Sequence, residues 1–125
     1  MASANYIVLG TTASLTAPST TYTAVKTPFK TKNQVLQTTF SNVSGTNPTL
    51  DVTLFTRMNG AAWVPAITLD QFTQSSGSGI GVRALSLLTQ LPDLWEELQV
   101  VATVGGSGSP TYTNVAHWLI WTTDY

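Results

Sequence analysis

The chain carries one histidine, His117, and one local cluster of carboxylates, Asp93, Glu96 and Glu97. Acid–base chemistry needs a titratable group held beside the atom it protonates, and a serine nucleophile needs a base beside it. Any serine here would have to use His117, and no Gly-x-Ser-x-Gly elbow occurs. His117 lies in the most apolar stretch of the chain, so it reads as a core or interface histidine. The three acids could approach a hard cation through oxygen, but such a site needs several more converging ligands. They read as a solvated rim. With no cysteine and no second histidine, thiolate or imidazole metal sites have no ligand set. The glycines at Gly79 and Gly81 are followed by no Gly-Lys-Ser/Thr, so no phosphate loop is expected. The expectation is a protein with no catalytic residue, no metal and no cofactor: not an enzyme.

Binding chemistry is better represented. Trp63, Trp95, Trp118 and Trp121 could stack on sugar rings or anchor a protein interface, where tryptophan is enriched. Trp95, beside Glu96 and Glu97, is expected to be partly exposed. All three lysines, Lys26, Lys30 and Lys32, fall within seven residues. They suit either a solvated edge, where lysine discourages strand pairing, or an arm that docks on an acidic neighbour. Overall charge excludes other partners. Five basic residues oppose six acidic ones, for a net charge of −1. Nucleic acid needs clustered positive charge to displace counterions, and a membrane surface needs a polybasic patch. Neither is present. No apolar run approaches the ~18 residues of a membrane-spanning helix. No Lys or Arg precedes the short Ile7-Val8-Leu9 stretch, so no secretory leader is read, and synthesis in the cytoplasm is expected.

The elements that must position these residues are strands. The 125 residues are 42% hydrophobic but only 9% charged, where ordinary domains carry about 25% charge. Threonine supplies roughly a sixth of the chain, and its β-branched side chain suits a pleated surface. Residues 1–33 form a Thr/Ser/Ala-rich zone, read as an extended N-terminal segment or arm with possible strands at Asn5–Leu9 and Thr20–Lys26. Residues 34–125 read as the β-sandwich domain. Leu36, Thr38 and Phe40 alternate with Gln37 and Thr39, and Leu50, Val52 and Leu54 share one face. Asn42–Pro48 reads as a turn. Asn59-Gly60 predicts a type I′ hairpin into Trp63–Thr68, and Pro65 places that strand at an edge or a bulge. Ile80–Leu85 is a further strand. The Leu85, Leu88, Leu91 spacing is helical, but alternation from Glu96 to Val104 favours a strand. Gly105–Pro110 separates it from a last strand, Tyr112–Trp121, whose two apolar faces suggest a central position and whose alternation requires a slip near Asn114. The fold class expected is all-β: an antiparallel β-sandwich or jelly roll of about seven to nine strands.

Two segments carry a resemblance. Val52-Thr53-Leu54-Phe55-Thr56 leads through Asn59-Gly60 to Trp63 and a Gly/Ser loop. A later strand ends in Val104-Gly105-Gly106-Ser107-Gly108-Ser109-Pro110-Thr111-Tyr112-Thr113. This pattern resembles small β-sandwich structural proteins of tailed bacteriophages, including head decoration (cement) proteins, over roughly residues 35–121. Such sequences often place arginine where this chain has Glu97 and Gln99. The resemblance implies a virion protein on the outer capsid surface, homo-oligomeric and often trimeric, that stabilises the capsid by binding across major capsid protein subunits. The contact regions expected are Lys26, Lys30, Lys32, Trp95 and Tyr112. A carbohydrate-binding or host-adhesion module, or a tail or baseplate component, is the competing expectation.

Overall fold

The computed structural model describes residues 2–16, 18–28, 32–85 and 94–124. Among the described residues there are eight strands: β1 (Ala2–Thr16), β2 (Ser19–Thr21), β3 (Val25–Lys26), β4 (Lys32–Phe40), β5 (Asn42–Arg57), β6 (Val64–Thr68), β7 (Gly79–Ala84) and β8 (Glu97–Asp124). All the pairings among them are antiparallel.

β8 organises the molecule. On one side β1, β2 and β3 run antiparallel along it, from Ala2 opposite Asp124 to Lys26 opposite Glu97. On the other side β4 and β5 do the same, from Lys32 opposite Thr122 to Arg57 opposite Glu97. β7 then pairs with β4, and β6 with β5. Because β8 bends between Val104 and Thr111, this long ribbon folds into two four-stranded layers. One layer is β1, the second half of β8, β4 and β7. The other is β2 with β3, the first half of β8, β5 and β6. This double-layered winding of a bent antiparallel ribbon is a jelly roll.

Alternation explains which residues fill the space between the layers. Leu36, Thr38 and Phe40 of β4 point inward, as do Leu50, Val52 and Leu54 of β5 and Leu98, Val100, Ala102 and Val104 of β8. The segment before residue 34 joins this core through Leu9, Leu15 and Tyr22. Burying each such aliphatic side chain contributes about 1.5–3 kcal/mol. Phe40 is the aromatic hub, meeting Phe72 edge-on at 5.1 Å and Tyr112 edge-on at 5.0 Å. In β7 the pattern is inverted. Gly79 and Gly81 lie inward under the rings of Phe40 and Phe72, where a Cβ would come within 2.4 and 2.6 Å of them. Ile80 and Val82 point to solvent.

Three sequence expectations need correction. Gly105–Pro110 does not end one strand and begin another. It is the corner at which β8 passes from one layer to the other, with φ of 109° at Gly106, 69° at Gly108 and 55° at Ser109. Asn42–Pro48 is likewise not a reversal but the facing corner of β5, with Gly45 at φ 113° and Asn47 at 47°. The two corners nest, so a Cβ on Gly106 would sit 2.7 Å from the Asn47 carbonyl oxygen. The Asn59-Gly60 turn joins β5 and β6, but only Gly60 takes positive φ (78°), and the Ala61 N–H bonds the Met58 carbonyl at 2.9 Å. Positive φ at the third position alone is the type II pattern, not type I′. Pro65 does mark both an edge strand and a bulge: β6 ends its layer, and its register with β5 slips between Leu54 and Phe55. The slip expected near Asn114 is present as a break in alternation, Tyr112 and Val115 both being buried around Asn114 at φ 52°. The helix-or-strand question at Leu88 and Leu91 lies outside the described residues.

Candidate functional site

Among the described residues no three His, Asp or Glu side chains come together as a metal site. His117 is fully buried between the layers. Its Nδ1 shares a 2.7 Å hydrogen bond with Thr38 Oγ1, and the ring of Tyr22 stands edge-on at 4.8 Å. Tyr22 reaches across the sandwich because Gly10 leaves it room, a Cβ there falling 2.3 Å from the ring. The Tyr22 hydroxyl bonds Thr12 Oγ1 at 2.7 Å. Burial lowers the imidazole pKa to about 4, so His117 is neutral at pH 7, and its Nε2 has no hydrogen-bond partner. A sealed, neutral imidazole has no route to a substrate.

The residues expected to make contacts are not brought together. Lys26 is exposed on β3 and faces Glu96 at 3.5 Å, an exposed pair worth about 0–1 kcal/mol. Lys32 begins β4 in the other layer and is exposed. Lys30 lies outside the described residues, as does Asp93. Trp95 is half-buried, with its backbone N–H donating to Thr56 Oγ1 at 2.9 Å and its carbonyl accepting from Thr27. Tyr112 is placed in the core rather than at the surface. Its ring packs on Phe40, and burial, then the Asp51 carboxylate, push its hydroxyl up to about 12. An aromatic beside a Gly/Ser/Pro stretch looks like a surface residue only if that stretch is a loop, and here it is a corner of the sheet.

The two outer faces differ sharply. On the β2/β3–β8–β5–β6 layer, Lys26, Glu97 and Arg57 lie side by side, with Thr21, Val101, Thr53 and Thr68 in a row further along. Arg57 bonds Glu97 at 3.1 Å and stacks 4.3 Å over the Trp63 ring. Asp51 accepts from Gln71 and Ser19 bonds Thr103, so this face is polar and internally paired.

On the β1–β8–β4–β7 layer the outward positions form three rows. The first is Tyr6, Ile120, Val35, Ala84; the second Val8, Trp118, Gln37, Val82; the third Thr11, Ala116, Thr39, Ile80. None is charged. Tyr6 is 67% exposed, Ile80 64%, Val82 54% and Val8 48%. At four strands ~4.8 Å apart and three rows ~6.8 Å apart this face spans roughly 400 Å², with Thr11, Gln37 and Thr39 its polar positions, comparable to the largest apolar patch of an ordinary monomer, which is often functional. Near its β1 side, Tyr6, Trp118, Ile120, Gln37 and Asn5 line an open depression of about 400 Å³. This face is the candidate functional site. Part of it was legible, since residues 116–121 are apolar on both sides. Ile80 and Val82 were also readable in principle, because a strand alternating glycine with branched aliphatics must put one set outward.

No family model matches the chain, and no curated protein matches it. Solved structures do. The chain is similar over 98% of its length to a chain in the structure of the infectious bursal disease virus Gx strain, at 13% identity and a TM-score of 0.60. Chains in the VP2 subviral particle and the Gt strain of the same virus give TM-scores of 0.53 and 0.51, each at 12% identity. The chain spans about a third (32%) of the length of each of these. At such identities the likeness is one of fold: the jelly roll traced from the strand register recurs in chains of virus particles.

Proposed function

We propose that this chain is a structural protein of a virus particle, one that decorates the outer surface of a bacteriophage capsid and stabilises it by binding across major capsid protein subunits. The observation that carries the reading is the largely apolar outer face of the β1–β8–β4–β7 layer, whose three central rows hold no charged residue. A face of that kind, exposed on a protein of net charge −1, gains by contact with another apolar surface, at about 25 cal/mol per Å² before ordering costs. The fold shared with virus-particle chains supports the reading, as does the resemblance of the β5–β6 hairpin and the β8 corner to phage head proteins. The mechanism is binding alone, with no catalytic step.

The test is addition of purified protein to undecorated phage heads, read by co-sedimentation and electron microscopy. Saturable addition is expected, together with at least a tenfold loss of affinity in the double variant Ile80→Lys/Val82→Lys. Both positions are exposed, so that variant keeps its fold. Failure to bind heads of the cognate phage, together with absence of the protein from purified virions, would sink the reading. If instead glycans bind and Trp118→Ala abolishes that binding, the Tyr6–Trp118 depression is a sugar platform and the adhesion reading replaces this one.

A further inference from the structure

A groove runs along the outer edge of β7. This strand closes the β1–β8–β4–β7 layer, and among the described residues it pairs only with β4. Its one charged residue, Arg83, is held by Asp70, which leaves Gly79–Val82 uncharged. The facing wall is the segment 70–74. That wall is anchored to the opposite layer: Phe72 and Leu50 exchange two backbone hydrogen bonds of 3.0 Å, and the Leu69 N–H donates to the Val52 carbonyl at 3.0 Å. Its far end is tied down as well. The Gln74 amide donates to the Ser78 carbonyl at 2.7 Å, and the Gly77 N–H to Asn42 Oδ1 at 3.1 Å. The space between β7 and this wall is about 440 Å³. Spread along the ~10 Å of Ile80–Val82, it has a cross-section of roughly 44 Å², and one strand takes about 48 Å² (~4.8 Å by ~10 Å). Asp70 is the one charged residue lining it, with its side chain 90% exposed.

We infer that this groove receives an extended segment of the capsid subunit, which adds to β7 as a further strand and carries a lysine or arginine to Asp70. The inference rests on the capsid reading and specifies which chemistry of the capsid subunit docks. The backbone groups of β7 that face away from β4 are matched in spacing by another extended backbone. A helix, about 10–12 Å across with its side chains, is too wide for the groove. Alternation then sorts the segment's side chains. One set stands beside Ile80 and Val82 and extends the apolar face by a strand, giving those two exposed residues cross-strand neighbours. The other set enters the groove towards Phe72 and Thr73. The exposed Asp70 carboxylate selects a basic residue at the segment's end and repels an acidic one. Because the wall is already fixed by its own hydrogen bonds, only the incoming segment has to be ordered.

Hydrogen exchange of the full chain, free and bound to undecorated phage heads, tests it. The Gly79–Val82 amides that face away from β4 are expected to exchange freely in the free protein and at least tenfold more slowly on heads. Asp70→Asn, which keeps an oxygen for Arg83, is expected to bind heads about fivefold more weakly and with a shallower salt dependence. Its unfolding midpoint should stay close to that of the wild type. Uptake on heads with no added protection of these amides overturns the inference and leaves the capsid reading standing, since the face would then dock without the edge. Unchanged affinity and salt dependence in a folded Asp70→Asn overturns the basic contact. Should that variant lose its fold, the exchange measurement on the wild type decides alone. Protection that rises with concentration in the free protein would make a second copy the occupant and likewise overturns the inference. If heads take up no protein at all, the capsid reading has failed by its own test, and this inference falls with it.

Discussion

His117 is held in place by the one hydrogen bond it makes and by the room Gly10 gives to Tyr22. Its second nitrogen is orphaned in the core, and charging the ring there would cost the desolvation that water otherwise relieves. The folded pKa of about 4 lies below the ordinary 6.5. Between those values the unfolded chain binds a proton that the folded chain does not. Stability is therefore complete above about pH 6.5, falls as pH drops toward 4, and levels off below it, a loss of about 3 kcal/mol. Denaturant titrations at intervals between pH 7 and 4 will show that slope, and His117→Gln, which can still bond Thr38, will remove it. A wild-type midpoint flat across that window would contradict the buried neutral state. At this scale the sequence was legible for His117, whose apolar neighbours announced its burial. It was not legible for Tyr112, because Asn114 at φ 52° breaks the alternation that would have assigned its face.

At the scale of elements, turns and corners use the same chemistry. Glycine, asparagine and serine supply positive φ whether the chain reverses or only bends. In sequence Gly105–Pro110 therefore reads as a break between strands, whereas β5 bends beside β8 and keeps the ladder going from one layer to the next. What separates a corner from a turn is the partner strand, which no local window contains. β1 was hard to see for another reason: small and hydroxylated residues dominate its second half, so Thr11–Thr16 shows little contrast between faces. The alternating runs of β4, β5 and the first half of β8 were readable because each sets a solvent face of Thr, Gln or Asp against Leu and Val. The corner yields a direct prediction. Gly106 sits at φ 109°, and a Cβ there would meet backbone atoms, the Asn47 carbonyl oxygen at 2.7 Å and Pro48 Cα at 2.9 Å. Neither neighbour can rotate away. Gly106→Ala is expected to cost about 2–3 kcal/mol, while Gly60→Ala, at a turn where nothing lies within 4 Å of the added Cβ, keeps only the strain of its positive φ. Paired thermal unfolding of the two variants separates strain from collision.

For the whole molecule, strand number and class could be read from alternation, but the winding could not, because it depends on contacts between distant segments. β8 pairs with β1, β2, β3, β4 and β5, five of the other seven strands, and lies last in the chain. Without it, β1, β2 and β3 have no sheet partner among the described residues, and only the β4–β7 and β5–β6 ladders remain. Isolated two-stranded ladders are marginal in water. Leu98, Val100, Val115 and Leu119 would also be missing from the core. A fragment of residues 1–96 is thus expected to show no cooperative thermal transition, and adding a peptide of residues 97–125 should restore one. The intact chain must close its longest loops before its central strand is paired on either side, and loop closure is a cost met before those contacts form. Refolding is expected in milliseconds to seconds, followed by the fluorescence of Trp121 as it enters the core. A fragment of residues 1–96 that unfolds cooperatively on its own would show that the core nucleates without β8, and the central role assigned to that strand would have to be abandoned.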